Sequence, residues 1–316
     1  MLQSGFHTPP RARRQDGALR RAGFELELAG LGVRDVAEVV RRLFGGEIDE
    51  RSAFVAAVQE TRFGDFEVCI DSKLLSSQRY LDLLHELGLE LDGRALQTLE
   101  SLIGQVAGLI VPTEIVTPPL PIDQIGELER LRRALRLADA EGTRASLRYA
   151  FGLHINIEVP DLSAKTLTST LKAFVLLYER IVHAGEIDIS RRLTPYIEPF
   201  GDDYTKLLLD PRYWPDTTQL VADYLRFNPT RNRPLDMLPV FAEIDGERVA
   251  RAVRGDEREL VSARPAYHYR LPNCQIDEPG WTLASEWNRW VEVERLSANP
   301  ERIAFLGERA TSKRGG

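Results

Sequence analysis

The alternation in residues 148–159, RYAFGLHINIEV, constrains the fold of this chain more than any other feature. Apolar side chains occupy every second position, and His154, Asn156 and Glu158 fall between them. Six consecutive alternations are typical of a β-strand with one buried face. A strand of a parallel, doubly wound sheet has both faces covered and is apolar throughout. The alternation therefore favours an α+β fold, in which helices cover the apolar face of an antiparallel sheet.

Shorter segments extend this pattern along the chain. Alternating or apolar-rich runs at 24–28, 53–59, 66–70, 108–116 and 266–271 predict further strands. Helical spacing predicts helices over 33–44, 77–90, 93–107, 122–141, 163–183 and 281–296, the last carrying tryptophans expected to pack on the core. We expect a flexible basic lead-in over 1–21, one domain over 22–298, and a helix end with a frayed tail over 299–316.

Composition excludes several classes of protein. The formal net charge of −7 over 316 residues argues against nucleic acid as a partner. The two cysteines, Cys69 and Cys274, are too few for a disulfide framework or a cysteine-based zinc site. No apolar run reaches the roughly 18 residues of a membrane span, and the N-terminal segment lacks the apolar core of a secretory signal. We therefore expect a cytoplasmic protein with no membrane partner, and a homo-oligomer stays possible.

The polar faces of the predicted strands share one chemical bias. They carry carboxylates, imidazoles, an amide and an arginine, with almost no lysine: Glu25, Glu27, Glu67, Asp71, Glu114, His154, Asn156, Glu158, His268 and Arg270. Each alone has an ordinary explanation, such as a solvent-facing acidic pair, a buried structural histidine, or an ion pair between Arg270 and Asp277. The shared bias over five strands favours one common site. Carboxylates suit hard divalent cations, and a marginal arginine suits phosphate.

No local nucleotide-binding motif accompanies this bias. The chain has no GxxxxGK[ST] and no GxGxxG after a strand, and it lacks the GxSxG of a serine hydrolase. A bound nucleotide would therefore lie across a sheet face, with its phosphates held by cations and scattered arginines. Arg231 and Arg233 stand between two prolines in a rigid stretch and would suit an anion clamp, although a surface pair fits equally well.

Five short motifs occur in the order in which the amidoligase family carries them: GFELELAGL, CIDSKLL, TEIVTPPL, FGLHINIEV and YHYRLPN. Over about residues 22–296 the chain resembles this family, which is similar to the glutamine synthetase and glutamate–cysteine ligase superfamily of carboxylate–amine ligases. The resemblance implies a curved, mainly antiparallel sheet with helices on its convex face, like the glutamine synthetase catalytic domain. It makes 22–298 a catalytic domain that uses ATP and Mg²⁺ or Mn²⁺ to form an amide through an acyl phosphate, on small-molecule or peptide carboxylates and amines.

The same resemblance implies roles for individual residues. The implied metal ligands are Glu25, Glu27, Glu114, His154 and His268. Arg270 and Asn156 would contact ATP. Arg231 and Arg233 are further candidates for ATP contacts because of their rigid, proline-flanked stretch. The implied catalytic residues are Arg270 as a clamp on the γ-phosphate, His154, and Asp71 bordering the amine or substrate side.

Two positions depart from the family pattern. Relatives commonly carry glutamate where this chain has His268, and an imidazole shifts the cation preference toward Mn²⁺ or Zn²⁺ or removes one metal site. In the stretch IDSKLL, where relatives more often have Asp-Gly-Ser, Lys73 would reach a substrate carboxylate or point to solvent. Two alternatives stay open: a phosphotransferase of the guanidino-kinase type, and an inactive relative that binds a nucleotide or a partner.

Overall fold

The computed structural model describes residues 5–70, 112–142, 151–187 and 197–314. Their nine strands form one large open sheet in which every neighbouring pair is antiparallel, in the order β2-β3-β4-β5-β1-β7-β9-β8, with β6 also paired to β1. The strands are β1 (Arg21–Leu28), β2 (Glu47–Ser52), β3 (Val55–Thr61), β4 (Gly64–Ile70), β5 (Thr113–Val116), β6 (Leu120–Pro121), β7 (Leu153–Glu158), β8 (Leu235–Asp236) and β9 (Ala266–Tyr269). The predicted antiparallel sheet is confirmed.

Eight α-helices accompany the sheet in the described ranges. They are α1 (Val33–Phe44), α2 (Leu128–Leu137), α3 (Ala164–Ala184), α4 (Asp202–Leu209), α5 (Thr217–Phe227), α6 (Leu238–Ala252), α7 (Leu283–Ser297) and α8 (Pro300–Arg314). Helix α1 has the predicted bounds, and Gly45 ends it at a φ of 79°, a conformation that costs glycine little. Ser163 begins α3 by accepting a hydrogen bond from the backbone N–H of Thr166. None of the helices described has the length and apolar character that a membrane span requires.

The alternation of β1 separates the core from the opposite face. Phe24, Leu26 and Leu28 are fully buried, while Glu25 and Glu27 point the other way. On the apolar side, the ring of Phe24 lies 6.5 Å from that of Trp287 in α7. The tryptophans at 281, 287 and 290 are all buried, so the predicted core role of this helix is confirmed.

Some elements differ from the sequence expectation. Helix α2 covers only ten residues of the predicted 122–141, because a 3₁₀ turn over Ile125–Glu127 precedes it and Asp139 follows its end at a φ of 66°. Strand β2 was not predicted, since its exposed sequence EIDERS lacks apolar alternation. The helices predicted over 77–90 and 93–107 lie outside the described residues.

Both ends of the described chain pack on the domain. Phe6 is buried, and the indole N–H of Trp287 donates to the carbonyl oxygen of His7 at 2.8 Å. Arg20 is fully buried and makes two hydrogen bonds of 2.7 Å to the carboxylate of Glu294. At the other end, α8 occupies most of the segment 299–316, and Ile303 in this helix is buried.

Candidate active site

Strand register brings the polar residues of one sheet face into rows. Glu27 of β1 lies opposite Glu114 of β5, and Glu25 lies opposite His154 of β7. In the next row, Asn156 of β7 lies opposite His268 of β9. Paired residues share a face of the sheet, so these side chains, all predicted site residues, occur together. We call Glu25, Glu27, Glu114, His154 and His268 the carboxylate–imidazole cluster.

Glu25 is the hub of a hydrogen-bond network. Its Oε2 atom lies 2.8 Å from Nδ1 of His154, and its Oε1 atom accepts a 2.6 Å hydrogen bond from the side-chain amide of Asn156. Burial raises the pKa of Glu25, but the adjacent imidazoles of His154 and His268 outweigh it and hold that pKa well below its usual range. Glu25 is therefore ionised at neutral pH.

His154 is buried and neutral at physiological pH. Burial lowers its pKa to about 4, against the opposing hydrogen bond and charge of Glu25. Since Glu25 is an acceptor, the imidazole proton belongs on Nδ1, by inference from the hydrogen bond. Nε2 then carries the lone pair, and it lies 4.0 Å from Oε1 of Glu27. A carboxylate that orients a histidine in this way is common beside protein metal ligands.

Two groups of three side chains are suitably placed to hold a divalent cation. Glu27, Glu114 and His154 form the first, and Glu25, His154 and His268 form the second; within each, one potential ligand atom per residue lies within 4.8 Å of the others. Oxygen ligands with a neutral imidazole suit Mg²⁺, Mn²⁺ and related ions. Glu27 is anchored because its Oε2 accepts the backbone N–H of Gly152 at 2.6 Å. The donor set fits the cations that the sequence predicts.

His268 is held from behind by a residue that the sequence did not single out. Nδ1 of His268 lies 3.3 Å from Oδ2 of Asp236, whose side chain is fully buried in β8. On the other side of the ring, Nε2 of His268 lies 3.8 Å from Oε2 of Glu25. Asp236 stands between Leu235 and Met237, and an acid enclosed by apolar neighbours is the one signal that would have identified it.

Three arginines border the cluster, and we call Arg231, Arg264 and Arg270 the arginine group. Arg264 donates to Oδ1 of Asn156 at 2.7 Å. Arg270, at the end of β9, donates to the backbone carbonyl of Arg231. Burial, with the positive charge of Arg231 as a lesser cause, lowers the pKa of both Arg264 and Arg270, while Glu25 opposes the shift in each. The charge of Arg231 therefore lies close enough to act on both other arginines, and Glu25 lies close enough to act on Arg264 and Arg270.

Two of the predicted site residues are not placed in this arrangement. Arg233 donates to the carbonyl oxygen of Pro199 at 3.0 Å and to the carboxylate of Glu198 at 3.2 Å, which ties it to the loop before α4. Asp71 lies outside the described residues, so its role stays a prediction. Arg264 was missed because it precedes Pro265 and β9, outside any alternating pattern.

Comparison with protein families identifies the class to which this fold and site belong. A model of the family described as "putative amidoligase enzyme" matches residues 18–292, which is most of the chain. The chain belongs to this family, and the resemblance inferred from its motifs is confirmed. Neither the curated proteins nor the solved structures gave a match.

Proposed function

We propose that the protein is an ATP- and divalent-cation-dependent ligase that joins a carboxylate to an amine through an acyl phosphate, with an amino acid or peptide as a substrate. The observation that carries this proposal is the convergence of three carboxylates and two imidazoles on one sheet face, beside three arginines. The proposal includes a glutamine synthetase-like arrangement, in which ATP lies across this face. Family membership supports amide-forming ligase activity.

The reaction couples two chemical steps. The γ-phosphoryl group of ATP passes to a carboxylate oxygen of the first substrate, which gives an acyl phosphate and releases ADP. The amine of the second substrate then attacks the acyl carbon, inorganic phosphate leaves, and the nitrogen gives up a proton as the amide forms. The first step brings two anions together, so it requires compensating positive charge.

The chain offers two sources of compensating charge. Divalent cations at the carboxylate–imidazole cluster would neutralise part of the triphosphate and align the transferring group. The arginine group supplies positive charge from the chain itself, without an ion bound from solution. Arg270 is the residue we propose to hold the γ-phosphoryl oxygens, since its planar guanidinium matches their geometry and its charge stabilises developing negative charge.

His154 and Asn156 would keep the cluster rigid during turnover. Asn156 connects Glu25 to Arg264, because it donates to the first and accepts from the second. His154 presents Nε2 toward Glu27 while its Nδ1 proton is held by Glu25. Such fixed partners preorganise a site, and preorganised charge is a large contribution to catalysis.

The direct test is ADP formation by the purified protein with ATP and Mg²⁺ or Mn²⁺, over pools of carboxylates and amines. The proposal predicts ADP and phosphate in equal amounts over many turnovers, with turnover sustained only when both substrate classes are present. A phosphorylated product that persists in the presence of amine would indicate a phosphotransferase instead. ATP binding without hydrolysis or transfer in any pool would indicate an inactive relative.

Glu27→Gln is the sharpest single substitution for this proposal. The glutamine side-chain oxygen can still accept the Gly152 N–H, so we expect the fold to stay intact while the negative charge is lost. Activity should fall roughly 100-fold or more, because a cation ligand is removed. Glu67→Gln is the matched control, since Glu67 lies on the same face but is exposed and belongs to neither cation-binding group. Near wild-type turnover of the Glu27 variant would place the site elsewhere.

A further inference from the structure

One buried nitrogen of the site has no hydrogen-bond partner. Nε2 of His268 makes no hydrogen bond with any other group that the structure describes, although the residue is only 2 % exposed. The nearest carboxylate oxygen of the cluster is Oε2 of Glu25, 3.8 Å away. An unsatisfied buried polar atom is costly, so this position calls for an explanation.

The contacts of Asp236 determine which nitrogen of the His268 imidazole faces Glu25. Its Oδ1 accepts the backbone N–H of Leu238 at 2.9 Å, and its Oδ2 faces Nδ1 of His268 at 3.3 Å. A carboxylate is an acceptor, so Nδ1 carries a proton, and Nε2 is the ring nitrogen left to bind a cation. The outward-facing atom of His268 is therefore a ready ligand atom.

This geometry sets two potential ligand atoms against each other in a buried space. A cation bound between Nε2 of His268 and Oε2 of Glu25 would give both atoms a partner. Their 3.8 Å separation is close to the roughly 3.4 Å between two ligands of one tetrahedral ion at about 2.1 Å. Imidazole nitrogen favours Mn²⁺, Co²⁺ and Zn²⁺ over Mg²⁺, which prefers oxygen and water.

We propose that Asp236 is a positioning residue, which fixes His268 so that Nε2 of His268 and Oε2 of Glu25 bind a first-row transition-metal ion in preference to Mg²⁺. This inference rests on the proposed function in placing cations at the cluster. It adds that the two cation-binding groups differ in kind. The group with Glu27 and Glu114 uses Nε2 of His154, is richer in oxygen and accepts Mg²⁺, whereas the site at His268 pairs one imidazole nitrogen with one carboxylate.

The test is a titration of the chelator-treated, full-length protein with Co²⁺, followed by its visible absorption and repeated in excess Mg²⁺. We expect one equivalent of Co²⁺ that Mg²⁺ displaces poorly, with a preference for Co²⁺ of roughly 100-fold or more. His268→Ala should abolish this equivalent. Glu67→Gln should retain it, because that exposed carboxylate lies on the same face outside the cluster.

Asp236→Asn separates positioning from simple ligation. The asparagine oxygen would keep the Leu238 N–H, and its amide group would donate to Nδ1 of His268, which moves the imidazole proton to Nε2. Loss of such a supporting partner typically costs 10- to 100-fold in metal affinity, and we expect that loss for Co²⁺ with Mg²⁺ affinity changed less than threefold. If this variant does not fold, the comparison of wild type with His268→Ala still decides the cation preference.

Several outcomes would overturn the inference. Wild-type protein without a Mg²⁺-resistant Co²⁺ equivalent, or His268→Ala with unchanged Co²⁺ affinity, would show that no transition-metal ion uses Nε2. Parallel losses of Co²⁺ and Mg²⁺ affinity in Asp236→Asn would make Asp236 merely structural. Histidine-dependent Co²⁺ binding without ADP formation in any substrate pool would contradict the proposed function and leave this inference standing.

Discussion

Replacing Glu25 with glutamine should move a proton from one nitrogen of His154 to the other. Glu25 accepts two hydrogen bonds, one from Nδ1 of His154 and one from the side-chain amide of Asn156. A glutamine in its place has only one acceptor oxygen. Its second terminal atom is an amide nitrogen, which must donate.

Asn156 decides which way the new glutamine turns. Arg264 donates to its Oδ1 at 2.7 Å, so the amide group of Asn156 cannot turn around without exposing its N–H atoms to a guanidinium. Asn156 must therefore keep donating, and the side-chain oxygen of the introduced glutamine must face it. The amide nitrogen of that glutamine then faces His154 and donates to Nδ1, so the imidazole proton has to lie on Nε2.

The structure sets the size of the effects. Charge-assisted hydrogen bonds contribute about 1.5–3 kcal/mol and neutral ones about 1 kcal/mol, so two such exchanges should lower the free energy of unfolding by about 1–4 kcal/mol. Burial lowers the pKa of His154 to about 4, and Glu25 opposes this shift, so removing its charge leaves the imidazole neutral at pH 7. A protonated Nε2 cannot bind a cation, which should weaken binding at Glu27 and Glu114 by roughly 10- to 100-fold.

Nitrogen-15 NMR spectra of histidine-labelled protein show directly which imidazole nitrogen is protonated. The chain has five histidines, so the spectra contain few signals to assign. In wild type, without metal, we expect the His154 signal of a neutral imidazole protonated at Nδ1; in the variant we expect protonation at Nε2. Urea unfolding gives the stability change, and Glu67→Gln serves as the control. If Nδ1 of His154 stays protonated in the Glu25→Gln protein, the network described here is wrong.

Three further predictions follow from the contacts of the chain. Between pH 6.5 and about 4 the unfolded chain binds a proton at His154 that the folded chain does not, so the free energy of unfolding should decrease by up to about 3 kcal/mol as the pH is lowered through this range. Urea unfolding in the presence of a chelator measures this change, and a free energy of unfolding that is constant over the range would contradict the prediction. Glu294→Gln leaves the buried guanidinium of Arg20 without its charge partner and should cost about 3–5 kcal/mol in the same assay, whereas a loss below about 1 kcal/mol would mean that water reaches the pair. Arg270→Lys should lower kcat about 100-fold, because lysine lacks the planar guanidinium. Arg233→Lys is the control and should change kcat less than threefold, since the Arg233 side chain binds a loop. Equal effects of the two substitutions in steady-state kinetics would contradict the role proposed for Arg270.

The sequence was sufficient for the parts of the sheet that alternate. In β1, β4, β7 and β9 the apolar residues are buried and the polar residues lie on the opposite face, as their period of two predicts. Pairing of Glu27 with Glu114 was beyond sequence reasoning, because register depends on which strands become neighbours. The bias of the polar faces indicated a common site without indicating which residues touch.

Residues outside repeating patterns were not predicted. Asp236 lies in a strand of two residues, which is too short to show any period. Arg264 precedes β9, and its contact with Asn156 joins positions 108 residues apart. Arg233 was grouped with Arg231 because the two are close in sequence, yet their side chains have different surroundings. In each case the tertiary contact, rather than the local pattern, determines the role.

Glu25 and Glu27 are stable side by side on β1 because β7 and the residue before it donate most of the hydrogen bonds that the two carboxylates accept. Glu25 accepts hydrogen bonds from His154 and Asn156, and Glu27 accepts the backbone N–H of Gly152 just before that strand. Among the described residues, no lysine or arginine forms an ion pair with either carboxylate. Their negative charge therefore stays available at the face where Glu114 also points, and the Nε2 atom of His268, which has no hydrogen-bond partner among those residues, lies beside Glu25. A structural network would neutralise this charge, whereas a cation site has to preserve it.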